Sequence, residues 1–325
     1  MLRLLLRRLL RAIPILLGIV VMLFAVFNLL GDPARSIAGQ RADAETLAQI
    51  RSELGLDEPW HRRLLSYLHD LSPLGYLSAE AQAEARYDFL RLSGGPASGA
   101  LVLKWPYLGH SYQLERSVSS LYFSHLPGTL ILALTSLLFA GLVGISLGAV
   151  AGMQPSSRLD RSLSLLSMFG VSAPSFLVGI LLLWLLAIVW GQLTGLNVSG
   201  YLFEPRVFGS GDRIVPENLL LPALTLGIRP LAILFQLTRD SLISVRSQDY
   251  VRTARAIGLS PRRVLWRHSL RNALGPVATA LTGWLAALLA GTFFVEFIFN
   301  WQGVGKLTID ALFSNDYPLL LGCSI

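Results

Sequence analysis

Apolar residues in this chain gather into long runs separated by charged loops. Leu9 to Leu30 carries one charge, Arg11, near its start, whereas Leu126 to Met153, Ser162 to Trp190 and Ala273 to Val295 carry none. A further run, about Asn218 to Leu237, is interrupted only by Arg229. A helix rises 1.5 Å per residue, so about 20 apolar residues cross a hydrocarbon core of about 30 Å. Each run is long enough, and together they predict five complete spans in an all-α polytopic membrane protein. A sixth run starts at Tyr317-Pro318-Leu319 and reaches Ile325 after nine residues, about 14 Å of helix. It is expected to be a truncated sixth span, either because the natural protein continues for some 20 residues or more or because this chain is a fragment.

The first run follows a basic stretch, Met1 to Arg8, as a signal sequence would. It exceeds the apolar core of a signal peptide, no small-x-small site precedes Gly31-Asp32-Pro33, and further spans follow, so it is expected to remain as an anchor.

Charge then sets orientation. The amino terminus (Arg3, Arg7, Arg8, Arg11), the loop Gln154 to Arg161 and the loop Arg239 to Asn272 hold 14 basic against 3 acidic residues; the remaining loops hold 12 against 16. Short loops rich in Lys and Arg stay in the cytoplasm. The amino terminus is therefore expected inside and the segment Asp32 to His125 outside. Within that segment, Ala42 to Leu54, Trp60 to Leu68 and Ala79 to Leu92 read as helices, Ser93-Gly94-Gly95-Pro96 breaks the last of them, and Trp105 to Gly109 reads as extended or turning chain.

Chemistry-bearing clusters are sparse. Cys323 is the single cysteine, and the five histidines are scattered, with no metal-ligand spacing. No nucleophile and base pair up within the spans, as a membrane-embedded enzyme would require. Gly303-Val304-Gly305-Lys306 lacks the partners of a phosphate loop, since position 300 is Asn and position 307 is Leu.

Gly144, Gly148 and Gly152 recur at four-residue spacing and predict a smooth helix face for close packing. Pro174, Pro222 and Pro230 permit kinks within spans. Arg229 and Glu296 are the two charges within or beside the apolar runs. A charge near the bilayer centre costs about 2.5 to 3.5 kcal/mol on insertion scales, so both are candidates to line a translocation pathway, with snorkelling the alternative for Arg229.

The most informative segment is the cytoplasmic loop Asp249-Tyr250-Val251-Arg252-Thr253-Ala254-Arg255-Ala256-Ile257-Gly258-Leu259-Ser260-Pro261. It reads as two short helices. Ser247 is placed to cap the first, Gly258 to end it in a left-handed conformation, and Ser260-Pro261 to open the second. A basic topology signal, a nucleic-acid contact and a docking knob for a soluble partner are the competing readings. A loop of about 30 residues between two spans is too confined to enclose a nucleic-acid groove.

Arg252-Thr253-Ala254, three residues, then Gly258 resembles the coupling motif of permeases driven by ATP-binding cassettes, usually Glu-Ala-Ala, three residues, Gly. Tyr250 to Ser260, with Arg271-Asn272-Ala273-Leu274 and Pro276, is similar to the dipeptide and oligopeptide branch of that family, although Ile257 replaces its usual basic residue. Arg7 to Pro33, Glu53-Leu54-Gly55-Leu56-Asp57, and Glu296 with Phe299, Gly303, Gly305 and Asp316-Tyr317-Pro318 extend the resemblance over most of the chain. About Ser72 to Lys104 departs from it as an insertion.

The resemblance implies a type I ATP-binding-cassette importer permease in the bacterial inner membrane. Residues 1–31 would be the cytoplasmic tail and first span, 32–125 the external segment, and 126–325 the permease core with its coupling loop at 239–272. Tyr250, Arg252, Thr253, Ala254, Arg255, Gly258 and Leu259 would form the ATPase-coupling surface, with no catalytic or metal-binding residue in this chain. ATP and magnesium would sit on a cytoplasmic ATPase dimer. A second permease, related or identical, and an external solute-binding protein would complete the importer, with peptides or similar small solutes as cargo. A secondary transporter would instead show acidic residues or broken helices at mid-membrane, with repeats. A structural anchor would need the basic loop alone.

Overall fold

The computed structural model describes residues 2–30, 34, 43–53, 57–77, 89–95, 99–205 and 212–324. Gly31-Asp32-Pro33, Leu54-Gly55-Leu56 and the first part of the helix expected at Ala79 to Leu92 lie outside them. The chain divides into two compact units, residues 1–124 with 307–325, and residues 125–306.

In the first unit, α1 (Leu2–Leu30) is followed by α2 (Ala44–Glu53) and α3 (Trp60–Leu71). Phe24 of α1 stacks on Tyr67 of α3 at 6.0 Å between ring centres, and the Arg63 guanidinium lies 6.0 Å from the same Phe24 ring. The expected insertion contains a three-stranded antiparallel sheet, β1 (Leu74–Leu77), β2 (Phe89–Gly95) and β3 (Gly99–Lys104), in the order β1-β3-β2.

Residues 89–92 are thus strand where a helix was expected. Phe89, Leu90 and Arg91 pair with β3, and Leu92 falls in a bulge between Arg91 and Ser93 that adjusts the register. Leu77, Ala100 and Val102 bury the sheet's inner face against Phe89. In the last part of this unit, Asp316 caps the start of a short helix, Tyr317–Ser324. Its buried carboxyl accepts Ser111 Oγ at 2.5 Å and the backbone N–H of Gln113 at 3.2 Å.

The second unit is helical around one central rod. α4 (Val118–Met153) enters it from the first unit, and α5 (Arg158–Ser172) follows a tight turn. Next come α6 (Ser175–Leu182), continued by a π-helical stretch Leu183–Val189, and the short α7 (Gly191–Thr194). After a small hairpin of β4 (Phe203–Pro205) and β5 (Asp212–Ile214), the chain forms α8 (Glu217–Arg246) and α9 (Asp249–Ala256). Pro261–Arg263 and a π-helical stretch Val264–Leu270 lead into α10 (Arg271–Gly291), followed by α11 (Phe293–Ile298).

Three described helices are long and apolar enough to cross a membrane, Val118–Met153, Glu217–Arg246 and Val264–Gly291. The run Ser162 to Trp190, expected as one span, is bent by 109° between α5 and α6. Pro174 stands at that break: it has no N–H to donate, and it disfavours helical geometry at Ala173, which is extended at ψ 132°.

α8 is the central rod, with 61% of its most apolar window buried, against 17% for the rod containing α10. The expected glycine face lies on it. An ideal Cβ at Gly144, Gly148 or Gly152 would stand 2.7, 2.6 or 3.0 Å from the carbonyl oxygens of Leu231, Phe235 and Arg239. The two backbones are therefore in direct contact along two turns, as small-residue faces permit.

Candidate functional site

α9 is amphipathic in the manner of a helix held on one side only. Val251 and Ala254 are buried and pack with Val264, Val245 and Leu259, while Arg252, Thr253, Arg255 and Ile257 face outward. Ala254 is thus an inward spacer: its small side chain lets α9 lie close to the stretch that begins α10. Thr253 Oγ1 donates to the Asp249 carbonyl at 3.0 Å, and Tyr250 Oη accepts from Asn272 Nδ2 at 2.9 Å, which ties the first turn of α9 to the first turn of α10. The Arg252–Asp249 pair, 3.7 Å apart and exposed on both sides, contributes little to stability.

The helix ends as expected. Gly258 has φ +82°, its N–H donates to the Arg255 carbonyl at 3.0 Å, and the Leu259 N–H donates to the Ala254 carbonyl at 3.3 Å. These two bonds make a Schellman termination, with Leu259 folding back on the apolar face. A Cβ at Gly258 would meet nothing within 4 Å. The glycine is required by backbone sign alone, and the space beside it is open.

Two local expectations are corrected. Gln248, not Ser247, precedes α9 as its cap residue, because Ser247 Oγ is turned back to the Ser244 carbonyl at 2.7 Å and finishes α8. The second element is not a short helix: from Pro261 it runs on into α10. The knob is therefore one short helix folded onto the foot of a long one.

Three polar links in the same unit were not foreseen. Arg239 of α8 forms a forked pair with Asp160, its Nη2 donating to Oδ2 at 2.8 Å and its Nε to Oδ1. Asp160 is buried and also accepts the Ser156 N–H at 2.8 Å. Arg246 Nη1 donates to the terminal carbonyls of α4, Gly152 at 2.9 Å and Met153 at 2.5 Å. The available signal was Asp160 itself, the one acid in the loop Gln154 to Arg161.

The two intramembrane candidates separate. Arg229 is exposed on α8. Glu296 has no exposed surface, and its carboxyl accepts Thr129 Oγ1 at 2.7 Å and the Lys306 N–H at 2.9 Å. Thr129 Oγ1 also accepts the Val304 N–H at 2.9 Å. Val304 and Lys306 belong to the first turn of α12 (Val304–Phe313), so Glu296 and Thr129 cap that helix start through space. A Cβ at Gly303 would lie 2.5 Å from the carboxyl atoms of Glu296. Glu296 is enclosed as a fastening point, and the spacing Glu296, Gly303, Gly305 is the footprint of that enclosure.

The family model for the "Binding-protein-dependent transport system inner membrane component" matches residues 144–325, which contain α8, α9 and Glu296 with its α12 partners. The chain belongs to that family. A model for the N-terminal part of binding-protein-dependent transport system membrane components matches residues 1–83 of the permease.

The permease is 34% identical to the di/tripeptide transport system permease protein DppB of Pseudomonas aeruginosa, over 97% of this chain and 88% of that one. It is 34% identical to the glutathione transport system permease protein GsiC of Salmonella typhimurium, over 98% and 90%. It is 32% identical to the dipeptide transport system permease protein DppB of Escherichia coli K12, over 99% and 91%. Among solved structures, the inward-facing MetNI methionine ABC transporter aligns with a TM-score of 0.48 at 15% identity, covering 63% of this chain and 89% of that chain. The permease is a transport subunit of an ATP-driven, binding-protein-dependent inner-membrane importer. It is not an enzyme, and ATP hydrolysis belongs to a separate subunit.

Proposed function

We propose that the permease imports peptides or similar small solutes, and that a cytoplasmic ATPase dimer holding ATP and magnesium drives it through the outer face of α9. Support for the cargo comes from the relatives, which are named for di/tripeptide, dipeptide and glutathione transport. Support for the docking surface comes from α9 itself. Its inner face is occupied by Val251 and Ala254, its outer face presents Arg252, Arg255 and Ile257, and Gly258 closes it beside open space. Tyr250 and Thr253 are exposed and belong to the same proposed surface, while Leu259 folds back to hold the helix.

The orientation that brings α9 to the ATPase has the amino terminus in the cytoplasm, as the arginine bias requires. Five spans then cross the bilayer, the bent α5–α6 run counted as one, with residues 32–125 as the external segment facing a solute-binding protein and 126–325 as the permease core. The α10 rod, only 17% buried, leaves Gly275, Thr279, Thr282 and Gly283 open on this chain. A second permease, identical or related, would cover that face and complete the pathway. Arg229 would line the pathway: it lies 12 residues after Glu217, roughly 18 Å along α8, too deep for easy snorkelling.

The test is loaded-binding-protein stimulation of ATP hydrolysis in the reconstituted importer, comparing wild type with Gly258→Trp and Gly258→Asn. Asparagine tolerates the left-handed backbone and is expected to retain stimulation. Tryptophan meets nothing at its Cβ on the free permease, shares with asparagine the cost of a side chain at φ +82°, and should abolish stimulation by adding bulk that obstructs the ATPase. Equal stimulation in all three, with intact assembly, would refute the coupling role.

A further inference from the structure

A pocket lies where the coupling loop, the turn between α4 and α5, and α8 meet. It has a volume of about 380 Å³ and is lined by Met153 and Gln154, by Arg246 of α8, and by Arg255, Leu259, Val264, Leu265 and Ser269 of the loop. α8 bridges the two segments. Its residues Arg239 and Arg246 are seven apart, two turns on one face. Arg239 grips Asp160 beyond the turn, and Arg246 binds the carbonyls of Gly152 and Met153 before it.

Steric register reinforces this grip. Gly144, Gly148 and Gly152 of α4 fall opposite the carbonyls of Leu231, Phe235 and Arg239, so both rows repeat every four residues and one helix cannot slide along the other without a clash. On the other flank, Gln236 Nε2 donates to Ser167 Oγ at 3.0 Å, and a Cβ at Gly170 would be 3.1 Å from Ala232 Cβ. α9, by contrast, joins α8 through Val245 and a short connection. α9 is thus seated on both α8, through Val245, and the start of the α10 rod, through Val264 and Asn272, and α8 is the member of that pair that grips both sides of the α4–α5 turn.

We infer that Arg239, Asp160 and Arg246 are positioning residues for transport: they tie the α4–α5 turn to the coupling helix, so that α4, α5 and α8 move together when the ATPase closes. This rests on the proposed role of α9. A buried carboxyl gripped by a two-pronged guanidinium at one end of the turn, and a helix end held by a second guanidinium at the other, fix both the distance and the angle of the turn relative to α8. Without them α5 would be held to α8 by the Ser167 and Gly170 contacts alone, and the α4–α5 turn would follow α8 less closely.

The test uses the complete reconstituted importer carrying Asp160→Asn or Arg246→Gln. Co-purification of the subunits, ATP hydrolysis without binding protein, and hydrolysis with loaded binding protein are measured, and Gly258→Trp is run in parallel. Asp160→Asn and Arg246→Gln are expected to assemble and to keep unstimulated hydrolysis while stimulation falls about tenfold, within the usual range of coupling between sites. A role in folding alone would lower assembly and leave stimulation per assembled complex unchanged.

Arg246→Gln leaves no buried carboxyl unpaired, so it decides the matter if Asp160→Asn fails to assemble. Wild-type stimulation in assembled Arg246→Gln and Asp160→Asn importers, alongside loss in Gly258→Trp, overturns this inference alone. Wild-type stimulation in Gly258→Trp overturns the coupling role of α9 and this inference with it.

Discussion

Thr129 and Glu296, 167 positions apart, share a 2.7 Å hydrogen bond inside the second unit, and both side chains are buried. The same Thr129 oxygen accepts the Val304 N–H, so one hydroxyl serves a carboxyl and a helix start together. Thr129→Val keeps the shape and removes both contacts. It should destabilise the permease by about 1–3 kcal/mol, the cost of leaving a buried polar group without its partner, seen as a lower Tm of the purified protein. Thr129→Ser should restore most of it, and an unchanged Tm in the valine variant would mean that this link is immaterial.

Gly303 is pressed against the Glu296 carboxyl. Because the nearest atoms to an added Cβ belong to a side chain held from two sides, Gly303→Ala should displace the carboxyl and cost about 1–3 kcal/mol, as overpacking does. Thermal unfolding in detergent measures this, and Gly283→Ala, where a Cβ meets nothing within 4 Å, is the comparison expected to show no loss.

The two faces of α9 should respond differently to substitution. Ala254→Leu adds three carbons where Val264 and Leu259 already fill the space, so it should lift α9 from α10 and reduce co-purification of the ATPase. Thr253→Ala removes only a bond to the Asp249 carbonyl on the exposed side and should leave assembly intact. Equal behaviour of the two would argue that the seating of α9 does not matter for docking.

Arg229→Leu should lower solute uptake while leaving assembly and the amount of permease in the membrane unchanged, because its guanidinium is exposed on α8 and holds no packing together. Uptake equal to wild type would remove Arg229 from the pathway. Glu296→Leu should instead reduce the yield of folded protein, since the carboxyl serves the first turn of α12.

The chain's own order of residues determined the apolar runs, the arginine bias and the signature of α9, because each is local: hydrophobic length, charge per loop, and a glycine that must take positive φ are legible over a few turns of chain. It also marked Gly144, Gly148 and Gly152 as a packing face and Pro174 as a place for a break. Tertiary structure alone decided what that face meets, how far the break turns the chain, and that residues 89–92 pair with β3 rather than coil. It alone separated Arg229 from Glu296, alike by position as charges beside apolar runs. A buried carboxyl is tolerable only where donors reach it, and the donors here come from Thr129 and Lys306, one of them 167 residues away. The Arg239–Asp160 and Arg246–Met153 contacts were equally out of view, since hydrogen bonds across 79 and 93 positions leave no periodicity along the chain. Local preference cannot specify such partners; the close approach of α4 to α8, possible because three glycines lack a Cβ, is what brings them within reach.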